Sequence, residues 1–257
     1  MSFPLALAAN LLNTKIYLFE PNSTIGRSNK ALLRFSKKIL CYDKDLQGIN
    51  NKYKHKLAEI PPILNKCFYE KIPYEGEKDV FKILILGGSQ SSLFFSKYLK
   101  PELIKLSKKF KIEVTQQLSR GLDANNYKLD YDTYNIKNRL FFYEEEFLCK
   151  NYKFDLAISR SGASSLAELS HLEIPFIAIP FAHATDNHQF INAKYFEKKG
   201  YCFLLEEKFI SDKLNKILID LYNNEKKLQS IKDKMTEHSD KNIFMKIEKL
   251  IKRVLNE

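Results

Sequence analysis

The 257-residue chain is 44% hydrophobic and 28% charged, which excludes intrinsic disorder and supplies core material for one large domain or two small ones. Its formal net charge of +11 is concentrated at the start, where residues 1–74 carry 12 Lys or Arg against 5 Asp or Glu. Such an imbalance suits an anionic membrane or a phosphorylated partner, or reflects a Lys-rich composition alone; no zinc-finger spacing, aromatic-basic signature or long Arg/Lys block supports nucleic acid.

In chain order, Pro4 and the small apolar residues up to Leu12 predict a short helix. Lys15-Ile16-Tyr17-Leu18-Phe19 predicts a buried strand closed by Glu20-Pro21-Asn22. Residues 28–40 read as a helix in which Leu32, Leu33, Phe35 and Ile39 share the segment with Lys30, Arg34, Lys37 and Lys38, a mixture that suits a membrane interface or simple packing on a sheet. Residues 41–80 read as an irregular polar linker with Pro61-Pro62, Pro73 and Gly76. From Phe81 onward, short apolar strands alternate with helices. The strands are expected at residues 82–86, 111–115, 140–142, 155–159, 175–180 and 201–205, and the helices at 92–108, 164–172 and 186–199, with a helical tail from residue 211. That alternation predicts a parallel, doubly wound α/β sheet, in which ligands bind at the carboxyl ends of strands.

Three strand-to-helix loops carry ligand-type residues. Gly87-Gly88-Ser89-Gln90 is either a phosphate cradle or a tight turn. It is neither a Walker loop nor a dinucleotide fingerprint, because the later Gly-Lys-Ser/Thr and glycines are absent. Arg160-Ser161-Gly162-Ala163-Ser164-Ser165 opens a helix whose free N–H groups could hold a diphosphate, and Glu168 either grips two ribose hydroxyls or stabilises the helix dipole. The loop Pro180-Phe181-Ala182-His183-Ala184-Thr185-Asp186-Asn187-His188-Gln189 offers groups for sugar hydroxyls or for capping; its two histidines are five apart, which does not suit a zinc pair. Cys41, Cys67, Cys149 and Cys202 form no CxxC pair, so no metal is expected and four free, buried thiols in a reducing compartment are. No apolar run approaches a membrane span.

These motifs in this order resemble the MurG family of glycosyltransferases. The resemblance is carried by Gly87-Gly88-Ser89-Gln90, by Arg160-Ser161-Gly162-Ala163 with Glu168, and by His183-Ala184-Thr185-Asp186, His188-Gln189 and Asn192-Ala193. Phe19-Glu20-Pro21-Asn22 and Gly26-Arg27-Ser28-Asn29 extend it to the N-terminal part. It implies a GT-B fold of two Rossmann-like domains. Residues 1–74 are then expected to be the second half of an acceptor domain plus linker. Residues 75–257 are expected to form a UDP-sugar donor domain, with the last helix, about 241–257, packing back on the first. The implied reaction transfers N-acetylglucosamine, with inversion, from UDP-N-acetylglucosamine to undecaprenyl-diphosphate-N-acetylmuramoyl-pentapeptide, without metal or cofactor. The setting implied is peripheral, at the anionic cytoplasmic face of the bacterial inner membrane.

The implied donor-site residues are Asn22, Ser89, Gln90, Tyr143, Arg160, Ser161, Gly162, Ala163, Ser164, Ser165, Glu168, His188 and Gln189. Ser89 and Gln90 would face the diphosphate and sugar, residues 163–165 the phosphates, Glu168 the ribose, Tyr143 the uracil edge, and His188 and Gln189 the sugar hydroxyls. Departures fall on the acceptor side. Phe19 and Pro21 stand at the family's His and Gln, Leu64 at its Arg and Ser91 at a loop glycine. The family's opening strand and glycine-rich loop, with its candidate base, have no counterpart, since the first glycine is Gly26. The strand at residues 15–19 is therefore expected to lack neighbours and the N-terminal segment to be marginally ordered. The alternatives are a remnant that binds the donor without transfer, or another UDP-sugar enzyme such as an epimerase.

Overall fold

The computed structural model describes residues 2–69, 80–142, 144, 147–150, 153–236 and 243–256. Two parallel sheets organise them. The smaller has the order β1 (Ile16–Glu20), β2 (Ser36–Cys41) and β3 (Leu57–Glu59), with α1 (Ser2–Leu11) and α2 (Arg27–Leu32) beside it.

The strand β2 corrects the helix expected over residues 28–40. The helix stops at Leu32, where the Phe35 amide donates to the Leu32 carbonyl and the Ser36 hydroxyl to that of Leu33. Ile39 and Cys41 then point into fully buried positions between β1 and β3. Tertiary pairing overrides the helical spacing of the apolar residues, and the basic interfacial helix does not form. For the same reason β1 is not without neighbours: all five of its residues pair with β2. The core here is small, built on Leu18, Ile25, Leu32, Leu33, Ile39 and Leu46. Among the described residues of α1 only Ala6 is buried; Leu5 and Leu11, with Leu12 just beyond the helix, are about three-quarters exposed.

The larger sheet has the order β6-β5-β4-β7-β8-β9. Its strands are β4 (Phe81–Leu86), β5 (Ile112–Gln117), β6 (Lys137–Phe141), β7 (Leu156–Ser159), β8 (Phe176–Ala178) and β9 (Cys202–Leu204). The helices are α3 (Gly88–Ser107), α4 (Ala124–Thr133), α5 (Ala163–His171), α6 (His188–Lys198), α7 (Ile210–Asn223), α8 (Glu225–Thr236) and α9 (Ile243–Asn256). Period-two alternation divides the core. Ile83, Ile85, Leu156, Ile158 and Ile177 face the layer of α3, α4 and α7. Leu84, Ala157, Phe176 and Ala178 face α5, α6 and α8. Strands apolar on both faces are what a sheet covered by helices on both sides requires. From α9, the Leu255 carbonyl accepts the Tyr17 hydroxyl of β1 at 3.1 Å. Among the described residues no helix is long and apolar enough to cross a membrane.

The expectation of four free thiols is also corrected. Cys67, in a 3-10 turn at residues 66–69, is disulfide-bonded to Cys149, in another at 147–150, with Cα atoms 5.6 Å apart. Their separation of 82 residues hides the pair in the sequence. Cys41 and Cys202 are free and buried, and burial pushes the Cys41 thiol up to about 11. Closing so long a loop restricts the unfolded chain, so reduction should cost about 2–4 kcal/mol of stability. Thermal melts with and without dithiothreitol should reveal the difference, and Cys67→Ser should melt at the lower temperature in both.

Candidate functional site

In the larger sheet the chain leaves β4 toward one side and β7 toward the other. The switch in winding direction therefore falls between these two neighbours, where Leu86 pairs with Ser159. A crevice opens at the carboxyl end of such a pair. Both loops bordering it carry the residues singled out in the sequence. Gly87 caps α3, and Ser89 and Gln90 lie in its first turn. Gly162 caps α5 with φ −68° and ψ 138° and provides no side-chain acceptor. The amides of Ala163, Ser164 and Ser165 are thus left without an intrahelical partner, the positive end of the helix dipole pointing outward. Among the described residues, no atom beyond the chain neighbours of Gly162 stands within 4 Å of where its Cβ would lie, so the space beside this end of α5 is open.

Glu168 lies on the same helix, on the turn after the exposed Ser164. Its carboxylate is half-buried and has no hydrogen bond or ion pair among the described residues; burial pushes its pKa up to about 7. A carboxylate partly withdrawn from water without a partner is costly to ionise unless something else supplies donors. A vicinal diol would do so.

Arg160 and Ser161 sit beneath the loop. The Arg160 guanidinium is buried, with Nη1 2.6 Å from Glu207 Oε1 and within reach of the Ile179 and Pro180 carbonyls. It lies 4.8 Å from the ring centres of Phe94 and Phe95. Burial lowers its pKa while Glu207 opposes that shift. This is the environment of a residue that fixes the loop from below. Ser161 is fully buried.

The third loop follows β8. Gln189 Oε1 accepts the Phe181 amide at 3.0 Å, closing the loop on itself. His188 Nδ1 stands 2.7 Å from the Thr185 carbonyl. A carbonyl only accepts, so Nδ1 donates in this contact and fixes the direction in which the ring faces.

Asn22 lies across a seam between the two sheets. Its Oδ1 accepts Asn192 Nδ2 at 3.1 Å. Asn192 also donates to the Ser161 carbonyl at 3.1 Å and accepts the Ser23 amide at 2.9 Å. Glu20, 2% exposed, anchors the N-terminal side by accepting from the Asn22 amide and side chain, the Gly26 amide and Asn29. Beside this network is a cleft of about 370 Å³ between Pro21, Tyr42 and Ile60, at the carboxyl ends of the small sheet, and Ala163, Asn192 and Tyr195 of α5 and α6. Tyr143 lies outside the described residues, and of the implied donor set the structure gathers the loops at 87–90 and 160–168 at the switch point, with Asn22 joined to them through Asn192.

The glycosyltransferase family 28 C-terminal domain matches residues 82–251, which include all three loops. A curated relative from Pelagibacter ubique (strain HTCC1062) is 40% identical over 96% of this chain and 70% of its own length. Its name is UDP-N-acetylglucosamine–N-acetylmuramyl-(pentapeptide) pyrophosphoryl-undecaprenol N-acetylglucosamine transferase. A Wolbachia pipientis relative of the same name is 32% identical over 90% of this chain and 66% of its own. The chain belongs to the MurG family of glycosyltransferases. The crystal structure of Acinetobacter baumannii MurG superposes with a TM-score of 0.76, covering 98% of this chain and 71% of that one at 21% identity. A glycosyltransferase from Rickettsia africae gives 0.61 at 16% identity, so the fold is shared well beyond the sequence.

Against this MurG-family background, Asn192 is the residue whose role could not be read from its position. It stood in a recognisable motif, yet only the fold shows its amide spanning two sheets. Removing it leaves the Ser23 amide and the Ser161 carbonyl buried and unpaired, so Asn192→Ala should cost about 2–3 kcal/mol in denaturant titrations. Glu168 predicts the opposite sign. Its carboxyl titrates near 4.5 when unfolded and about 7 when folded. The folded state thus holds the proton more tightly, and stability falls as pH rises from about 4.5 to about 7. Glu168→Gln should raise the melting temperature near pH 8, by the equivalent of about 1–3 kcal/mol, and leave it unchanged near pH 4.

Proposed function

We propose that this chain binds UDP-N-acetylglucosamine at the β4–β7 switch point and takes part in transferring its sugar, with inversion, to undecaprenyl-diphosphate-linked N-acetylmuramoyl-pentapeptide. The observation that carries the reading is the unpartnered Glu168 carboxylate, one turn beyond the open N-terminus of α5. A diphosphate over the amides of residues 163–165 would set a ribose within reach of Glu168, and α3 would bring Ser89 and Gln90 to the same crevice. His188 and Gln189 would meet the sugar from the third loop, and Asn22 from across the seam. Tyr143 would meet the uracil edge.

In the displacement, the acceptor hydroxyl attacks C1 of the sugar as the C1–oxygen bond to UDP breaks. Negative charge develops on the leaving diphosphate, where the helix N-terminus supplies fixed amide dipoles that need no reorganisation. Arg160 and Glu207 hold the loop that aims those dipoles. Because the acceptor named for the relatives carries a lipid, we place the chain peripherally at the cytoplasmic face of the inner membrane. The positive charge of residues 1–74 and the exposed leucines of α1 would face anionic headgroups there.

Two calorimetric series test the donor site. If ionised Glu168 accepts the ribose hydroxyls, UDP-N-acetylglucosamine affinity should rise about tenfold between pH 6 and pH 8, following a group that titrates near 7. That rise should vanish in Glu168→Gln, together with most of the affinity. Gly162→Val should still fold, because its backbone angles suit a β-branched residue and nothing crowds its Cβ, yet it should block the approach to α5 and abolish binding. Equal affinity in Gly162→Val and the unaltered chain would reject the site. Sugar transfer to the lipid-linked acceptor, followed by product chromatography, separates a transferase from a chain that only binds the donor.

A further inference from the structure

Among the described residues with positive φ, Asp186 and Asn187 are the only consecutive pair that are not glycine, at φ 52° and φ 55°. They immediately precede His188 and Gln189. Asp and Asn tolerate this left-handed region better than other side chains do, but two in succession persist only where something holds them. Local bonds, Asn187 to Ala184 and Gln189 to Phe181, hold part of this shape, and a further restraint comes from 159 residues away. Arg27, the first residue of α2, places Nε 2.8 Å from Asp186 Oδ2 and Nη2 2.8 Å from Oδ1, a two-pronged contact. A guanidinium fixes direction as well as distance when both prongs engage. The Arg27 side chain is otherwise 76% exposed and Asp186 41%, so packing does not do this job instead.

We propose that Arg27 is a positioning residue for the donor loop: docked on Asp186, it holds residues 185–189 in the shape that presents His188 and Gln189, and ties that shape to the placement of the small sheet. It acts through Asp186 and touches no substrate. Together with the Asn192 network it forms a second, solvent-facing tie across the seam, and unlike that network it is open to screening by salt. The inference rests on the donor-site reading above.

The test is calorimetric titration of UDP-N-acetylglucosamine into the full chain at low and high salt. The variants are Arg27→Ala, Arg27→Asp, Asp186→Arg and the double exchange Arg27→Asp with Asp186→Arg. Arg27→Ala should weaken binding about threefold, as expected for an exposed pair. Each single charge reversal should weaken it on the order of tenfold, because like charges then face each other. The double exchange should recover most of the loss relative to Asp186→Arg, because both carry Arg on the same left-handed backbone; the differences should shrink in high salt, and the thermal midpoints of the Arg27 variants should stay with that of the unaltered chain. A merely structural role would move the midpoints and give no recovery on exchange. If the unaltered chain binds and Arg27→Asp binds equally well, or if the double exchange recovers nothing, the inference is overturned. If the unaltered chain does not bind, the donor-site reading falls and this inference falls with it.

Discussion

The arrangement of the site depends on one buried carboxamide. Asn192 is 1% exposed and uses its donors and its acceptor in three directions: to Asn22, to Ser23 and to Ser161. The first two belong to the turn that ends β1, the third to the loop that ends β7. In a low-dielectric setting these bonds are strong when all are made and costly when one is missing. The two sheets consequently have few ways to meet. Hydrophobic contact alone would allow sliding, since apolar packing has little direction. The amide, joined by the Tyr195 hydroxyl donating to the Tyr42 carbonyl and by Arg27 on Asp186, selects one register, and the turn beyond β1 is brought to the mouth of the switch-point crevice.

Once that register is set, α5 serves two surfaces. Ala163, Ala167 and Ser170 line the cleft toward the small sheet, and their size leaves room for Pro21, Tyr42 and Ile60 opposite. Ser164 and Glu168 lie off that stripe, four residues apart on one face. Helical periodicity thus separates a face that docks from a face that is left for chemistry. The open N-terminus belongs to both, because Ala163 lines the cleft and its amide is one of those left without a partner. Any shift of the small sheet would therefore be felt at the amides that face the crevice.

Much of this was legible in the sequence where local and tertiary preferences agree. The strands at Phe81, Leu156 and Phe176 are buried on both faces, so their continuous apolar runs announce a parallel sheet, and the loops after them could be located before any coordinates. The pattern fails where a short segment is pulled by its partners. Ser36–Cys41 carries Lys37 and Lys38 with helical spacing around them, and only pairing with β1 and β3 makes it a strand. The helix α4 stands outside the sequence-predicted helices for a different reason. It is polar, but the Asp123 carboxylate accepts the Asn125 and Asn126 amides as an N-cap, and Tyr127 and Tyr131, four apart, are its buried face. Those signals were present and weak. The Cys67–Cys149 bond, the two-pronged Arg27 contact and the bonds of Asn192 to Asn22 and Ser23 were beyond reach, since each joins residues between 82 and 170 positions apart.

Two carboxylates illustrate how burial separates architecture from chemistry. Glu20 and Glu168 both follow from one genetic choice, an acidic residue placed where water is scarce. Around Glu20 the chain supplies four N–H contacts from Asn22, Gly26 and Asn29, and its oxygens have nothing left to offer a ligand. Gly26 is close enough that a Cβ would stand 3.3 Å from Oε2, so the nest is built tightly around the oxygen. Around Glu168 the chain supplies nothing, and the cost appears as a carboxyl that resists ionisation until about pH 7. A fold that can satisfy one carboxylate so completely has no difficulty satisfying another. Leaving the second unpaired beside an open helix N-terminus destabilises the ligand-free chain, and the same free energy becomes available to whatever brings the missing donors.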